Sequence, residues 1–456
     1  MGFMEPSTIT IAERVFVKEN AAMANLCQKQ TALYNQAIWY LRQEYFNNDD
    51  AGEGFLSYYD LNDKNMLKWK DCYRDAIPGC AANTIQRACD AWKAHWKALK
   101  AWSKNSAGFT GKPRMPGYVD RDVKSPVYFT YAQFSIKDHR VVFPSATGFD
   151  PIGTRLGDQK QSDSSAPVKQ ARIIPAKAGG YWVELAYKTS TRQADVDPGR
   201  VMGIDLGMTY IATVVDNIGS QPISFKGGDV KSINQLYNKN LAFLKAEHAR
   251  CNPRLAELQR KRDAGLSDVE WKELRGLLKD TARMKQLAEK RNRRVNIAFH
   301  VISKQIIAAA IQRRVGTVVI GHNPGQKQNL DNGRRFNQNF TQLPIFKLVA
   351  QITYKAAMNG IEVVEITEEF TSKASAIDND AIPDRKTTKK KQDGHSDVEF
   401  SGKRGPRGLY TSAAGVQIHA DVNAAYNIMR KACPASLGTK GAGIRPYPVT
   451  RGIPVS

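Results

Sequence analysis

Residues Thr8–Val17 alternate apolar and polar positions, with Ile9, Ile11, Val15 and Val17 in one phase, and predict a β-strand. From about 19 to 46 the period turns helical: Leu26, Leu33, Ile38, Leu41 and Tyr45 recur at or near steps of three, four or seven residues. A second helix is predicted over 84–104. Ile85, Ala88, Trp92, Trp96 and Leu99 share one face there, and Arg87, Lys93, Lys97 and Lys100 lie on the other. That spacing assigns the tryptophans to a buried face rather than to a base-stacking surface. Residues 106–118 gather Gly108, Gly111, Pro113, Pro116 and Gly117 with Lys112 and Arg114, a basic connector. The stretch 128–190 reads as β-rich, with its clearest strands at 128–131, 141–143 and 181–185 and a hairpin turn at Gly179-Gly180. A strand, then helices, then further strands suggests a β-barrel interrupted by a helical insertion.

Beyond a polar linker ending in Pro198-Gly199 the pattern becomes α/β. Val201 to Leu206 is an apolar strand carrying one carboxylate, Asp205, ahead of Gly207. Residues 210–215 and 222–225 continue it as an antiparallel meander. Two long helical segments follow, 230–262 and 268–313, dense in Lys and Arg, above all at Lys290-Arg291-Asn292-Arg293-Arg294. Residues 317–320 are a short apolar strand of the kind buried on both faces of a parallel sheet. A helix over 343–359 stops at Gly360, and a strand over 361–366 comes next. A helix between two apolar strands is a βαβ unit and implies parallel pairing. Residues 376–408 are polar and very basic, His419 to Ile428 opens a short amphipathic helix with Asp421 at its start, and the Pro- and Gly-rich tail from 434 is expected to be flexible.

The bulk numbers narrow the class. With 456 residues there is room for two to four domains. Lys plus Arg number 67 against 44 Asp plus Glu, a surplus of 23 positive charges spread along the chain. Such a surplus points to a polyanionic partner, nucleic acid first. The six cysteines show no Cys-x-x-Cys spacing and read as reduced thiols of a cytosolic protein. The apolar stretches are read as too short to span a bilayer and no signal-peptide pattern is present, so no membrane partner is expected.

A strand-end Asp before Gly can fix a metal ligand on a rigid element, although turn formers and other nucleotide sites share the pattern. Asp421, far downstream, would lean back on the same sheet. With both acids in view the chain resembles the TnpB family of transposon-encoded RNA-guided nucleases and the small type V CRISPR effectors related to them. The matching pieces are Gly203-Ile204-Asp205-Leu206-Gly207; Arg294-Val295-Asn296 with His300 and Ser303; Val318-Val319-Ile320-Gly321; Tyr354-Lys355-Ala356; Phe370-Thr371-Ser372-Lys373; and Asp421-Val422-Asn423-Ala424-Ala425. Leu33-Tyr34-Asn35-Gln36-Ala37 and Lys112-Pro113-Arg114-Met115-Pro116 match the family's N-terminal half. The resemblance implies a multidomain α+β protein. Its parts would be a wedge β-barrel (1–17 and 106–196) with an inserted helical recognition domain (18–105), and an RNase H-like RuvC nuclease domain (197–373 and 415–433). A nucleic-acid-binding insertion (374–414) and a tail (434–456) complete it. The resemblance also implies a guide RNA, double-stranded DNA cut through an R-loop, a monomer or homodimer, and two Mg²⁺ ions held by acids on separate elements.

Two departures from the family pattern matter. Many members carry the second acid just after the Val-Val-Ile strand, where this chain has Gly321-His322-Asn323. Glu368, just past the next strand, takes that place in a subset of the family. Parallel neighbours about 4.8 Å apart end at one sheet edge, so either position can reach the same ion. Glu365 and Glu369 compete with it. The family's four-cysteine zinc knuckle falls on Ala374, Ile377, Thr411 and Ala414, so no zinc is expected. That insertion is expected to fold by apolar packing or to stay mobile. Catalysis and metal binding are therefore expected at Asp205, Glu368 and Asp421, with nucleic-acid contacts at Lys112, Arg114, Arg291, Arg293, Arg294, Lys403, Arg404 and Arg407. The alternatives are an RNA-guided DNA-binding regulator that has lost catalysis, for which Gly321 speaks, and a guide-free nuclease of the resolvase or RNase H kind.

Overall fold

The computed structural model describes residues 8–47, 56–63, 67, 70–323, 333, 341–383, 399–436 and 443–453. Two compact units are present, Thr10–Thr189 and Ser190–Ser456 with Met1–Ile9. In the first, strand β1 (Thr8–Val17) leads into helices α1 (Ala21–Asn47), α2 (Tyr58–Asp63), α3 (Asp71–Asp75) and α4 (Pro78–Lys104). α4 starts earlier than its apolar period suggests, because Pro78 fits a first helical turn, where its missing N–H has no partner to lose. Leu33, Ile38, Leu41, Ile85 and Trp92 are fully buried between α1 and α4, and Trp96 packs partly buried on the same cluster. The tryptophan stripe is core, as its spacing predicts.

Strands β2 (Val127–Thr130), β3 (Ser135–Lys137), β4 (Arg140–Val142), β5 (Ile152–Gly153), β6 (Val168–Pro175) and β7 (Tyr181–Ser190) follow the helices. They form two sheets, ordered β1-β7-β6-β2 and β3-β4-β5, around one core that includes Phe129, Phe134, Val141, Ile173 and Val183. The helical insertion after the first strand is therefore present. Among the described residues the strands make two open sheets rather than one closed ladder. Gly179 and Gly180, at φ 101° and 76°, close the β6–β7 hairpin as expected.

The second unit is built on a six-stranded sheet. β8 (Asp197–Asp205), β9 (Tyr210–Asp216) and β10 (Ile223–Lys226) form the antiparallel meander, and β11 (Val315–Gly321) and β12 (Glu362–Ile366) add to β8 in parallel. In the register, Ile204 is level with Ile320, and Gly321 with Ile366, so the three parallel strands end together. β11 is buried on both faces, as its continuous apolar run requires. The helix Ile345–Ala357 makes the β11–β12 crossover.

Three expectations need correction here. The two long basic helices are four: α5 (Gly228–Arg250), α6 (Pro253–Lys261), α7 (Asp268–Leu277) and α8 (Ala282–Gln312). The breaks carry start signals visible in the sequence: Asn252 caps α6 ahead of Pro253, Ser267 and Glu270 form a capping box, and Thr281 caps α8. Second, α8 is long and apolar enough by length and composition to cross a membrane. Its apolar side (Val295, Phe299, Ile302, Ile306, Ala310) is spent on the sheet, the mark of a core helix. Third, the tail is tied down over 443–453. The strand Val449–Arg451 pairs in parallel with β10, Ile453 is buried in the sheet core, and the His419 amide donates to the Pro446 carbonyl at 2.9 Å. Pro and Gly content reads as disorder from composition, but backbone donors and one apolar side chain are enough to hold an edge strand.

Candidate active site

β8 is buried through Val201, Met202, Gly203 and Ile204 and ends on half-buried Asp205. Gly203 is the reason a helix can lie directly on it. A Cβ at 203 would stand 2.9 Å from Met429 Cβ and would collide with the Ala425 carbonyl oxygen. Both belong to the C-terminal helix (Ala420–Ala432), which carries Asp421 in its first turn. His419 caps that helix by accepting from the Asp421 amide at 3.3 Å, and the carboxylate sits where the helix dipole favours negative charge.

The same helix grips the segment that follows Glu368. Asn423 accepts from the Ala376 amide (2.9 Å) and donates to the Ala374 carbonyl (2.8 Å), while Asn427 donates to the carbonyls of Thr371 and Ala374. Both asparagines are fully buried. Buried amides with all their bonds met specify one arrangement, and here they fix the Glu368 segment against the Asp421 helix.

Glu368 lies two residues past Ile366, at the edge where β8 and β11 also stop. Its side chain fills the room that Gly321 leaves. A Cβ at 321 would stand 2.9 Å from Glu368 Cγ and would meet Ile428 Cδ1. Asn323 holds it, accepting from the Glu368 amide at 2.9 Å and donating to Oε2 at 3.2 Å. The other oxygen, Oε1, is buried without a hydrogen-bond partner. Glu365 is turned away, with its carboxylate 3.2 Å from His322 and 47% of its side chain exposed. Among the described residues the charges that act on Asp205 are those of Asp421, Glu368 and Arg404.

Electrostatics joins the three acids. Burial, then the charges of Asp421 and Glu368, push the Asp205 carboxyl well above the usual aspartate range, against a downward pull from Arg404. Burial also raises Glu368, partly offset by His322. Among the described residues no group of three His, Cys, Asp or Glu side chains is drawn in far enough to hold a metal ion as it stands. The donor chemistry fits a hard divalent cation nonetheless: three carboxylates and one orphaned buried oxygen, Glu368 Oε1. A positive group is already at hand, since the Arg404 guanidinium lies 3.6 Å from Asp421.

The basic residues expected to touch nucleic acid separate into two kinds. Lys112, Arg114, Arg293 and Lys403 are exposed, and Arg294 is half-buried. Lys112 lies 5.9 Å over the Trp102 ring. Arg291 departs from the expectation. It is half-buried and its donors are used within the unit, on Asn234 (2.7 Å), Asn292 (2.7 Å) and the Gln342 carbonyl. Its place is packing between helices, and nothing in its local sequence separates it from its neighbours. Arg404 reaches the acids rather than a distant groove. The side chain of Arg407 lies outside the described residues.

The insertion is neither purely apolar nor loose where it is described. Asp378 Oδ2 accepts from Ser375 Oγ (2.6 Å), the Ala413 amide (2.9 Å) and Ser401 Oγ (3.0 Å), and Asp380 accepts from the Ser375 amide (2.7 Å) and Ser401 Oγ (2.6 Å). Burial pushes Asp378 up, but those hydrogen bonds outweigh it and hold the carboxyl below the usual range. The loop segments at 375–380, 401 and 413, which flank the knuckle positions, are thus stitched by two carboxylates. Tyr410, fully buried, supplies the apolar part.

Two family models match this chain: a probable transposase model (OrfB_IS605) over residues 184–326, and a Cas12f1-like TNB domain over 346–428. Asp205 falls in the first match, Glu368 and Asp421 in the second. The chain resembles the TnpB family and the small type V CRISPR effectors. Among curated relatives, a CRISPR-associated endodeoxyribonuclease Cas12f1 of Syntrophomonas palmitatica is 24% identical over 351 residues, 70% of this chain and 66% of that protein. A TnpB-like protein, ORF457 of Acidianus two-tailed virus, is 28% identical over 233 residues, 51% of this chain and 42% of that one. The chain thus spans two-thirds or less of these relatives. A solved Cas12f1-sgRNA-target DNA complex aligns over 90% of this chain and 82% of that one, at 16% identity and a TM-score of 0.47.

Proposed function

We propose that this chain is an RNA-guided DNA endonuclease. It opens double-stranded DNA beside a short flanking motif, pairs one strand with a guide RNA in an R-loop, and hydrolyses phosphodiester bonds at a RuvC-type site made of Asp205, Glu368 and Asp421. The observation that carries this is the convergence of three acids from separate elements at one sheet edge, where Asp205 feels the charge of the other two. The sheet order, an antiparallel meander β10-β9-β8 extended in parallel by β11 and β12, supports an RNase H-like reading. The curated relatives named as endodeoxyribonucleases support DNA as the substrate.

Two Mg²⁺ ions, when bound, supply a water activated for attack and a charge on the leaving oxygen. The chain supplies the rest. Asp205 presents a carboxylate on a rigid strand, Glu368 offers Oε1 while Asn323 holds Oε2, and Asp421 is set by its cap and by Asn423. Arg404 brings planar donors suited to a phosphate oxygen. Guide pairing reads sequence, and the protein reads the heteroduplex shape and flanking motif. The insertion works without zinc, its segments joined through Asp378 and Asp380.

Gly321, the feature that speaks for an inactive regulator, is the space Glu368 needs, which leaves that reading without its support. The test is cleavage of a plasmid by protein purified with its own RNA. Asp205→Ala should abolish cutting and leave DNA binding near the wild-type level. Residual cutting would sink the site, and absence of copurifying RNA would favour a guide-free nuclease.

A further inference from the structure

The seam between α8 and the helix Ile345–Ala357 holds a polar cluster that the acids do not use. Ser303, fully buried, donates to the Phe299 carbonyl at 2.7 Å and lies 3.3 Å from Gln351, which in turn donates to Asn296 at 3.0 Å. Lys355 donates to Ser303 Oγ at 2.6 Å and to the His300 carbonyl at 2.9 Å. An ammonium has three donors, so two are spent on orientation and one is left.

We propose that Lys355, His300 and Lys304 form a phosphate-binding subsite for the backbone of a bound nucleic acid. His300 and Lys304 stand one turn apart on the exposed side of α8, and Arg293 and Ile297 continue the same outward ridge. Arg293 and Lys304 therefore place two positive charges along that ridge, with His300 between them and Lys355 across the seam. Among the described residues no carboxylate pairs with any of the three. Burial and the Lys304 charge lower Lys355 to about 8, and burial and the Lys355 charge lower His300. Like charges fixed together without a counter-ion cost stability, and an anion placed between them removes that cost. A phosphate fits the third Lys355 donor and the exposed Lys304 together. A seam serving only to join the helices would gain by being apolar.

The assignment rests on the proposed function only in taking nucleic acid as the polyanion, and it is tested without divalent ions or cleavage. Fluorescence anisotropy would follow binding of the full chain to RNA and to single-stranded DNA of one sequence over a range of NaCl. Lys355→Gln and the exposed Lys304→Gln should each weaken binding about three- to tenfold and lower the log K against log salt slope by about one, without lowering Tm. An effect on RNA alone assigns the subsite to the guide, and one on DNA alone to the target. If wild type binds and both variants keep its affinity and slope, the proposal is overturned. A lowered Tm with an unchanged slope overturns it too and makes the cluster packing. If wild type binds neither probe, the nucleic-acid reading itself falls.

Discussion

Asp205 and Asp378 lie in one unit, yet their surroundings drive their protonation in opposite directions. Asp378 receives three hydrogen bonds and ties chain segments together. Asp205 is pressed by burial and by two other carboxylates, against which Arg404 among the described residues pulls its pKa down. The contrast sorts the two acids physically: a carboxylate whose acceptors are met serves structure, while one left repelling its neighbours is the candidate for a cation ligand. The fold tolerates the second kind because Gly203 and the asparagine clamps over-determine its position.

The strongest way to break this contrast is at Asp205. Asp205→Asn should reduce cleavage by at least about a hundredfold, the scale of losing one preorganised electrostatic group. It should also raise Tm at neutral pH, because repulsion is relieved. The sign follows from linkage. A raised folded-state value means stability present below the unfolded aspartate pKa is lost as pH rises through the folded value, so the variant's advantage should grow with pH and vanish in acid. A fall in Tm would refute the repulsion.

The next test is steric. Gly203→Ala should cost about 3 kcal/mol or more, because its Cβ meets backbone rather than a side-chain tip. Gly321→Ala should cost about 1–3 kcal/mol and depress cleavage, because it crowds Glu368 Cγ. Chemical denaturation and a cleavage assay read the two effects separately, and normal cleavage by Gly321→Ala would detach Glu368 from the site.

A smaller effect is expected at the satisfied acid. Asp378→Asn should lower stability by about 1–2 kcal/mol, with pH behaviour opposite to that of Asp205. A depressed carboxylate contributes above its unfolded pKa and loses that contribution as pH falls through its folded value. The variant's deficit should therefore be full at neutral pH and disappear in acid. Smallest of all, Mg²⁺ should raise the Tm of wild type by a few degrees and leave Asp205→Asn nearly unmoved, since closing the acids around a cation is what binding requires.

Much of this was legible beforehand. The strand at Asp205, the parallel β11–β12 pair and the helix at Asp421 follow from hydrophobic period, and Glu368 from motif order. What escaped depended on partners distant in sequence. Arg291 looks like its basic neighbours until Asn234 and Gln342 are beside it. Arg404 reads as a surface cation until Asp421 is found 3.6 Å away. The Asp378 and Asp380 stitching joins residues more than twenty positions apart, and no local period encodes it. The helix breaks are different, since Asn252-Pro253 and the Ser267–Glu270 box were in plain view.

The exchange of volume between positions 321 and 368 has a consequence for kinship and descent. Acid and glycine must trade places as a couple: restoring a carboxylate at 321 alone would force two negative groups into one cavity, and emptying 368 alone would leave a hole. Intermediates on either route are handicapped, so lineages should hold one pairing or the other and seldom a mixture. A survey that reads only the aligned column at 321 would miss the carboxylate that stands beside it at 368.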